Sequence, residues 1–562
     1  MTCLRVTCSR AVVILVLCGT ALAAQQPPPV RFVDVTKAAG IAFTHTNGAF
    51  GKKYLPETLG AGAAFLDYNN DGRQDVLLVN GSSWAGQPPA RAFSRLYRND
   101  GAGRFTDVTK AAGLQVELYG MGVAAADFDN DGWQDVLITA VGQNRLFRNN
   151  GAGAFTDVTM KSGLGPREGF STSALWFDYD RDGWLDLLIC NYVRWTPQTD
   201  VYCSVDGKQK SYCTPEAYRG ATSWLFRNRR DGTFEDATAT AGIFDTTSKS
   251  LGVTLLDYDH DVWPDVFVAN DTQPNKLYRN TGKGTFTELG LQAGLAFSEE
   301  GRARAGMGVD AADVDNTGRT SVAVTNFSGE MVGLYKPVGE GQYSDTSPRS
   351  EVGRVTRHTL GFGCFFFDVD LDGLQDLLVV NGHIDDTISK MQGRVTYAEP
   401  PHLFRNTGGG RFADIVPDMG GAFAEPKVGR GAAFGDFDGD GDLDVVITTN
   451  GGPAFLYRND VANGHHVIRL TLRGTKSNRD AIGAKVRVTA GSERYSRMVK
   501  TGSSYLSQSE LPLTFGLGSR GVADRIEIEW PSGAREELKQ VAAGAAYEVV
   551  EGKGITGKRG LR

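Results

Sequence analysis

The sequence predicts an all-β chain, a seven-bladed β-propeller followed by a small C-terminal β-sandwich-like domain. Three observations carry this expectation. An Asp-rich nonapeptide recurs seven times between Asp67 and Asp444. Every copy is flanked by the same short apolar and β-branched runs, and 71 glycines in 562 residues, without a Gly-X-Y period, imply many tight turns. Four short strands per unit, repeated radially, is the pattern of blades set around a central channel. With 41% hydrophobic and 22% charged residues the chain is globular. A net charge of −7, with basic residues clustered only at Lys553, Lys558, Arg559 and Arg562, argues against nucleic acid as a partner.

The first element, residues 1–23, reads as a secretory signal peptide: Arg5 and Arg10, an apolar run from Ala11 to Cys18, then Ala21-Leu22-Ala23 before a Pro-rich stretch. A secreted protein, extracellular or periplasmic, is therefore expected. No later run approaches 18 apolar residues, so no transmembrane segment is expected. Three of the seven cysteines leave with the leader. Cys203 and Cys213 bracket a polar loop and are expected to form a local disulfide in an oxidising compartment. Cys190 and Cys364 sit in apolar runs and read as buried thiols.

The propeller is placed at residues 31–460. The nonapeptides begin at Asp67, Asp127, Asp178, Asp257, Asp313, Asp368 and Asp436, with spacings of 60, 51, 79, 56, 55 and 68. An apolar segment precedes each, a run such as DVLLVN follows, and Leu-aromatic-Arg-Asn comes next in six copies. The seventh unit stops after its third strand. Residues 31–40 nearly duplicate residues 104–113, so the N-terminal strand 31–36 is expected to complete the last blade and remove the open edges at the seam. Five Gly-x-Gly pairs, at Gly60, Gly120, Gly306, Gly361 and Gly429, lack the third Gly and the helix of a dinucleotide loop; close packing of innermost strands explains them better. Beyond Gly464, alternating runs such as VIRLTLRG and RIEIEWPSG predict a β domain over 465–551, with 552–562 as a flexible basic tail.

The spacing D-x-D-x-D-G-x-x-D puts oxygen side chains at positions 1, 3, 5 and 9 of a tight loop, with Gly at 6 allowing the reversal, and hard oxygen ligands in such a loop suit Ca2+. The expected ligands are Asp67, Asn69, Asp71 and Asp75; Asp127, Asp129, Asp131 and Asp135; Asp178, Asp180, Asp182 and Asp186; Asp257, Asp259, Asp261 and Asp265; Asp368, Asp370, Asp372 and Asp376; and Asp436, Asp438, Asp440 and Asp444. In the fourth copy Val262 replaces the glycine, which predicts weaker occupancy. In the fifth, Thr317 and Ser321 replace acids, which predicts none. About five to six structural Ca2+ sites follow. Polar hairpin turns alone would not account for the pattern: the seven nonapeptides hold 26 of 66 acids, a repulsive concentration without a cation.

These units resemble the FG-GAP or VCBS repeats of integrin α-chain propellers, where comparable loops hold Ca2+. The text HHVIRLTLRGTKSNRDAIGAKVRVTAG, then GSSYLSQSELPLTFGLG and RIEIEWPSG, resembles the ASPIC/UnbV domain. Together behind a signal peptide they resemble the secreted cartilage acidic protein family and its bacterial relatives. The resemblance implies extracellular calcium binding and adhesion or matrix interaction, and carries no catalytic residue.

If the Asp-rich loops occupy one end of the ring, the insertions at 45–60, 192–223 and 382–402 map to the other. That face is expected to bind a glycan, matrix or protein ligand, with His45, Glu57, Asn191, Asn270, His358 and His383 as its candidate residues. The alternative is a calcium-dependent enzyme, a polysaccharide lyase or quinoprotein, using the channel mouth. No Ser-His-Asp pattern, His-rich metal motif or adjacent cysteine pair supports it. A further alternative working surface is the C-terminal domain around Asn478, Asp480, Tyr505 and Gln508.

Overall fold

In the computed structural model, which describes residues 30–88, 92–204, 207–461 and 463–561, the chain is an all-β propeller with a two-sheet C-terminal domain. The expected leader, 1–23, lies outside the described residues. Among these residues the propeller strands form five four-stranded antiparallel sheets and one eight-stranded sheet, in which two successive units are joined by the pairing of Glu168–Phe177 with Asp135–Gln143. The first unit is Ala63–Leu66, Asp75–Leu78, Arg95–Gly101 and Arg104–Asp107. Its two inner strands are buried on both faces, which is why they read as unbroken apolar runs rather than as an alternation. The innermost strands touch one another in turn, and Ala63–Leu66 also meets Gly429–Gly435, so the ring is closed. At the seam, Phe32–Asp34 pairs with Phe455–Asn459, in the register Phe32 to Asn459 and Asp34 to Tyr457.

That seam gives a test. Deleting residues 31–36 leaves Phe455–Asn459 as a bare edge and removes Phe32 from its stack on Phe423, 4.7 Å between ring centroids. Loss of a buried Phe costs about 3–5 kcal/mol. The deleted protein is expected to melt several degrees below the parent in a thermal scan, and equal melting would show that the strand is dispensable for closure.

The C-terminal domain packs the sheet of Leu513–Gly516, Val467–Arg473, Ala545–Val550 and Gly554–Gly560 on that of Glu493–Met498, Lys485–Ala490, Val522–Glu529 and Arg535–Ala542. Here the structure corrects the reading of 552–562 as a flexible tail. Gly554–Gly560 is an edge strand paired with Ala545–Val550, and Lys558 reaches over the Tyr547 ring. Its glycines hid the strand, because they carry no side-chain alternation to read.

The two domains share a long interface, and residues 499–512 run from it into the propeller channel. Seven backbone N–H groups on inner strands end on this segment: Ala63 on Ser507 Oγ, Phe65 on the Gln508 carbonyl, Val123 on the Leu506 carbonyl, Ala125 on Gln508 Oε1, Trp176 on Thr501 Oγ1, Val309 on the Ser504 carbonyl and Phe434 on Ser509 Oγ. Two of the Gly-x-Gly motifs have their reason here. A Cβ on Gly62 would lie 1.7 Å from the Leu506 carbonyl oxygen, and one on Gly431 would lie 2.5 Å from Ser507 Oγ, so side chains there would displace the segment.

Candidate functional site

Each Asp-rich loop joins the first and second strands of a blade, and its ninth residue opens the second strand, as in the pairs Leu66 with Asp75 and Phe367 with Asp376. The first-position Asp organises the turn. In the first loop Asp67 Oδ1 accepts the Asp71 N–H (3.0 Å) and Oδ2 accepts the Gly72 N–H (2.8 Å); Asp127 and Asp178 repeat the pattern. Gly72 has φ +79°, the left-handed conformation that glycine takes at no steric cost. The ninth-position Asp is tied to the third strand, with Asp135 Oδ1 accepting the Asn149 N–H and Asp376 Oδ1 that of Asn406, both 2.7 Å.

The third position shows what these loops can hold. Asp180 Oδ2 and Asp370 Oδ2 each take an arginine from the Leu-aromatic-Arg-Asn motif, Arg227 and Arg405, both 2.7 Å away. Arg148 and Arg279 pair with Asp129 and Asp259 in the same way. The opposite oxygen, Oδ1 of Asp129, Asp180, Asp259 and Asp370, is buried with no hydrogen-bond partner, as are Asp368 Oδ1 and Asp438 Oδ1. Carboxylates at positions 1, 3 and 9 converge in five loops: Asp127, Asp129, Asp135; Asp178, Asp180, Asp186; Asp257, Asp259, Asp265; Asp368, Asp370, Asp376; and Asp436, Asp438, Asp444. Within each group the oxygens lie within 4.8 Å of one another. Burial, reinforced by neighbouring acids, pushes Asp127 up to about 8 and Asp178 to about 7, and holds Asp135, Asp186, Asp376 and Asp444 well above the carboxylate range. A polyvalent cation relieves both the unpartnered oxygens and the repulsion, so the donor set fits a metal ion.

The fifth position is used differently from the first, third and ninth. Asp131, Asp182, Asp261 and Asp372 turn Oδ1 back to accept the N–H two residues on, at 2.8–3.0 Å, and lie outside the three-carboxylate groups. In the first loop Asn69 donates to Asp71, whose other close partner is Arg73. In the fourth, Val262 is forced to φ +74°, and Asp257 pairs with Lys485 of the C-terminal domain. The fifth loop stays folded without acids at positions 5 and 9. Asp313 accepts the Thr317 and Gly318 N–H groups, and Thr317 Oγ1 donates to Asp315.

Sequence reasoning missed the work of the Leu-aromatic-Arg-Asn motif. Beyond the arginine, its Asn reaches into the preceding blade: Nδ2 donates from Asn99 to the Phe437 carbonyl, from Asn149 to Tyr68 and from Asn406 to Val314. Its recurrence in six units was the available signal.

At the opposite end the candidate ligand residues do not form a solvated face, a correction to the sequence reading. His45, Glu57, Asn191, Asn270 and His383 are all buried, and only His358 is exposed. Asn191 and Asn270 cap strand ends: Asn191 Nδ2 donates to the Thr222 carbonyl, and Asn270 Oδ1 accepts the Lys249 N–H and the Ser250 hydroxyl. His45 Nδ1 accepts the Gly451 N–H, and burial lowers its pKa to about 3. Burial raises Glu57 to about 7, and Tyr212 donates to its Oε2. The insertion at 45–60 folds inward. Leu55 and Leu59 pack in one buried cluster with Trp84, Tyr119, Trp195 and the channel residues Tyr505 and Leu506, closing the mouth. The four residues named for the C-terminal alternative, Asn478, Asp480, Tyr505 and Gln508, are buried as well.

The disulfide Cys203–Cys213 is present, and Cys190 and Cys364 are buried and free. It closes an insertion that carries Tyr202, 65% exposed, and Val201 beside it.

The FG-GAP-like repeat model matches residues 67–138, 127–189, 198–268, 257–324 and 368–447, and the ASPIC and UnbV model matches 474–556. Cartilage acidic protein 1 of Mus musculus is 28% identical over 321 residues, covering 54% of this chain and 46% of that protein. The Homo sapiens protein is 27% identical over 324 residues, covering 56% and 46%. The chain thus spans less than half the length of these relatives. Among solved structures, an Agrocybe aegerita protein recognising non-reducing terminal N-acetylglucosamine gives a TM-score of 0.39 at 17% identity, over 70% of this chain and 87% of that one. YCF48 bound to D1 peptide gives 0.41 at 10% identity, over 72% and 94%. No helix among the described residues is long and apolar enough to cross a membrane.

Proposed function

We propose, because this chain belongs to the FG-GAP-like repeat family, that it is a secreted, calcium-binding, non-catalytic protein that presents its insertion-bearing face to an extracellular glycan, matrix or protein ligand. The observation that carries the calcium reading is the set of buried, unpartnered carboxylate oxygens on Asp129, Asp180, Asp259, Asp368, Asp370 and Asp438. Calcium supplies charge neutralisation and a flexible oxygen coordination that these loops match. The chain's own residues do the positioning: arginines fix the outer oxygens of the third-position carboxylates, and backbone N–H groups fix the first and ninth.

For ligand binding, the closed channel mouth favours a surface site over a catalytic pocket. The disulfide-closed insertion supplies one. Its exposed Tyr202 and Val201 precede Cys203, which packs against a buried cluster in which Trp84 stacks on Tyr119 at 4.3 Å. A rigid aromatic on a cross-linked loop loses little entropy on binding. Asp200 belongs to the support rather than to the surface, since it accepts from Trp195 Nε1 and Tyr218 and pairs with Lys210. In a screen of immobilised glycans and matrix proteins with calcium present, Tyr202→Ala is expected to weaken the recognised ligand by roughly tenfold or more, a hot-spot loss, at unchanged melting temperature. Full binding by this variant would remove the insertion as the working surface.

A further inference from the structure

We infer that the C-terminal domain and the cations act on the same carboxylates from opposite sides, so that loading of the Asp-rich loops and seating of residues 499–512 in the channel are one coupled event. This rests on the calcium reading above.

The C-terminal domain addresses the loops at their first position. Lys485 pairs with Asp257 Oδ2, while Asp257 Oδ1 is buried without a partner. The Gly516 N–H donates to Asp368 Oδ2 (3.1 Å), while Asp368 Oδ1 is likewise unpartnered. Arg469 Nε lies 3.2 Å from Asp436 Oδ2, and its Nη2 donates to Glu510 Oε2 (2.8 Å), which also accepts the Asp436 N–H. In the second loop the Asp127 N–H donates to Asp480 Oδ2 (2.8 Å). Arg497 Nη2 donates to the Gly373 carbonyl inside the sixth loop. Where Lys485 and Gly516 bind, docking donors take one carboxylate oxygen and leave the other for the loop centre.

The sign of the coupling follows. Docking needs the first-position aspartates held in one orientation, with one oxygen turned to Lys485 or to the Gly516 N–H, and a cation gripping the other, unpartnered oxygen holds that orientation. A cation that fixes them therefore strengthens the Lys485, Arg469 and Gly516 contacts. Those contacts lie on the domain that feeds residues 499–512 into the channel. Linkage is reciprocal: unseating the segment must weaken calcium. If the basic residues instead substituted for the cation, unseating would tighten it.

Tyr505 and Gln508 separate the two, because neither is charged and both lie inside the channel. Tyr505 Oη donates to the Leu59 carbonyl and its ring meets Phe362 edge-on at 5.0 Å; Gln508 bonds the Ala125 N–H and carbonyl through its side-chain amide. Calcium is titrated calorimetrically into the full chain after chelator treatment. Tyr505→Ala is expected to bind calcium roughly five- to tenfold more weakly, and Gln508→Ala, the milder change, to shift it the same way. Unchanged or tighter binding overturns the coupling while leaving calcium binding in place; no titratable calcium in the unaltered chain overturns both. Hydrogen exchange on the unaltered chain needs no variant. Chelation should release protection at 503–509 ahead of second strands such as Asp376–Asn381, and simultaneous release overturns the inference.

Discussion

Excess EGTA is expected to lower the melting temperature of the full chain by more than about 10 °C, with recovery on calcium but not on equimolar magnesium. A ligand that binds only the folded state contributes about 2.7 kcal/mol at a hundredfold excess over its dissociation constant, and about 1 kcal/mol moves a large domain by roughly 2–4 °C. Five converging groups supply more than one such increment. Magnesium holds its waters and demands octahedral geometry, which an arginine-anchored, multi-carboxylate loop does not match. Single changes should divide along the same line. Asp370→Asn removes a ligand whose Oδ1 is unpartnered and whose Oδ2 is fixed by Arg405, and should cost most of one increment, about 2–3 kcal/mol. Asp315→Asn touches a loop already satisfied by Thr317 and should cost under about 0.5 kcal/mol. An unchanged melting temperature in EGTA would refute the structural role of calcium, and equal costs would refute the assignment of filled loops.

The all-β propeller was legible because each unit repeats the same local code, and errors in one copy are corrected by the others. The first, third and ninth acids of the loops were legible for the same reason. What repetition could not reveal was division of labour within the code. Nothing in the spacing separates Asp131, which caps its own turn, from Asp129, whose Oδ1 is buried without a partner. The insertions, present once each, had no such redundancy. His45, Glu57 and His383 resemble surface chemistry in sequence, but 45–60 folds inward against Tyr505 and buries the first two, while His383 is buried with its ring edge-on to Phe327 at 5.4 Å. Residues 499–512 were the hardest to place. GSSYLSQSE is small and polar with no period, and its partners lie hundreds of residues away, Ala63 with Ser507 and Trp176 with Thr501 among them. The paired glycines were its one trace, taken as strand packing when two of them make room for the segment.

Truncation after residue 460 is the sharpest consequence of that placement. A modular reading expects the propeller to fold as well without its companion. The hydrogen bonding says otherwise: Ala63, Phe65, Val123, Ala125, Trp176, Val309 and Phe434 would each lose the acceptor of a backbone N–H at once. A buried donor left unpaired costs about 1–3 kcal/mol, and water admitted to the channel recovers part of this while wetting Tyr505's former neighbours Met121, Leu251, Met307 and Phe362. The truncated propeller is expected to melt at least about 10 °C below the full chain in saturating calcium and to bind a hydrophobic dye that the parent excludes. Adding the peptide 499–512 in trans should restore part of the loss, because Gly62 and Gly431 leave the room that the Leu506 carbonyl and the Ser507 hydroxyl occupy. A truncated propeller as stable as the parent would mean that the segment occupies the channel without supporting it, and that the two domains are joined only through the loops.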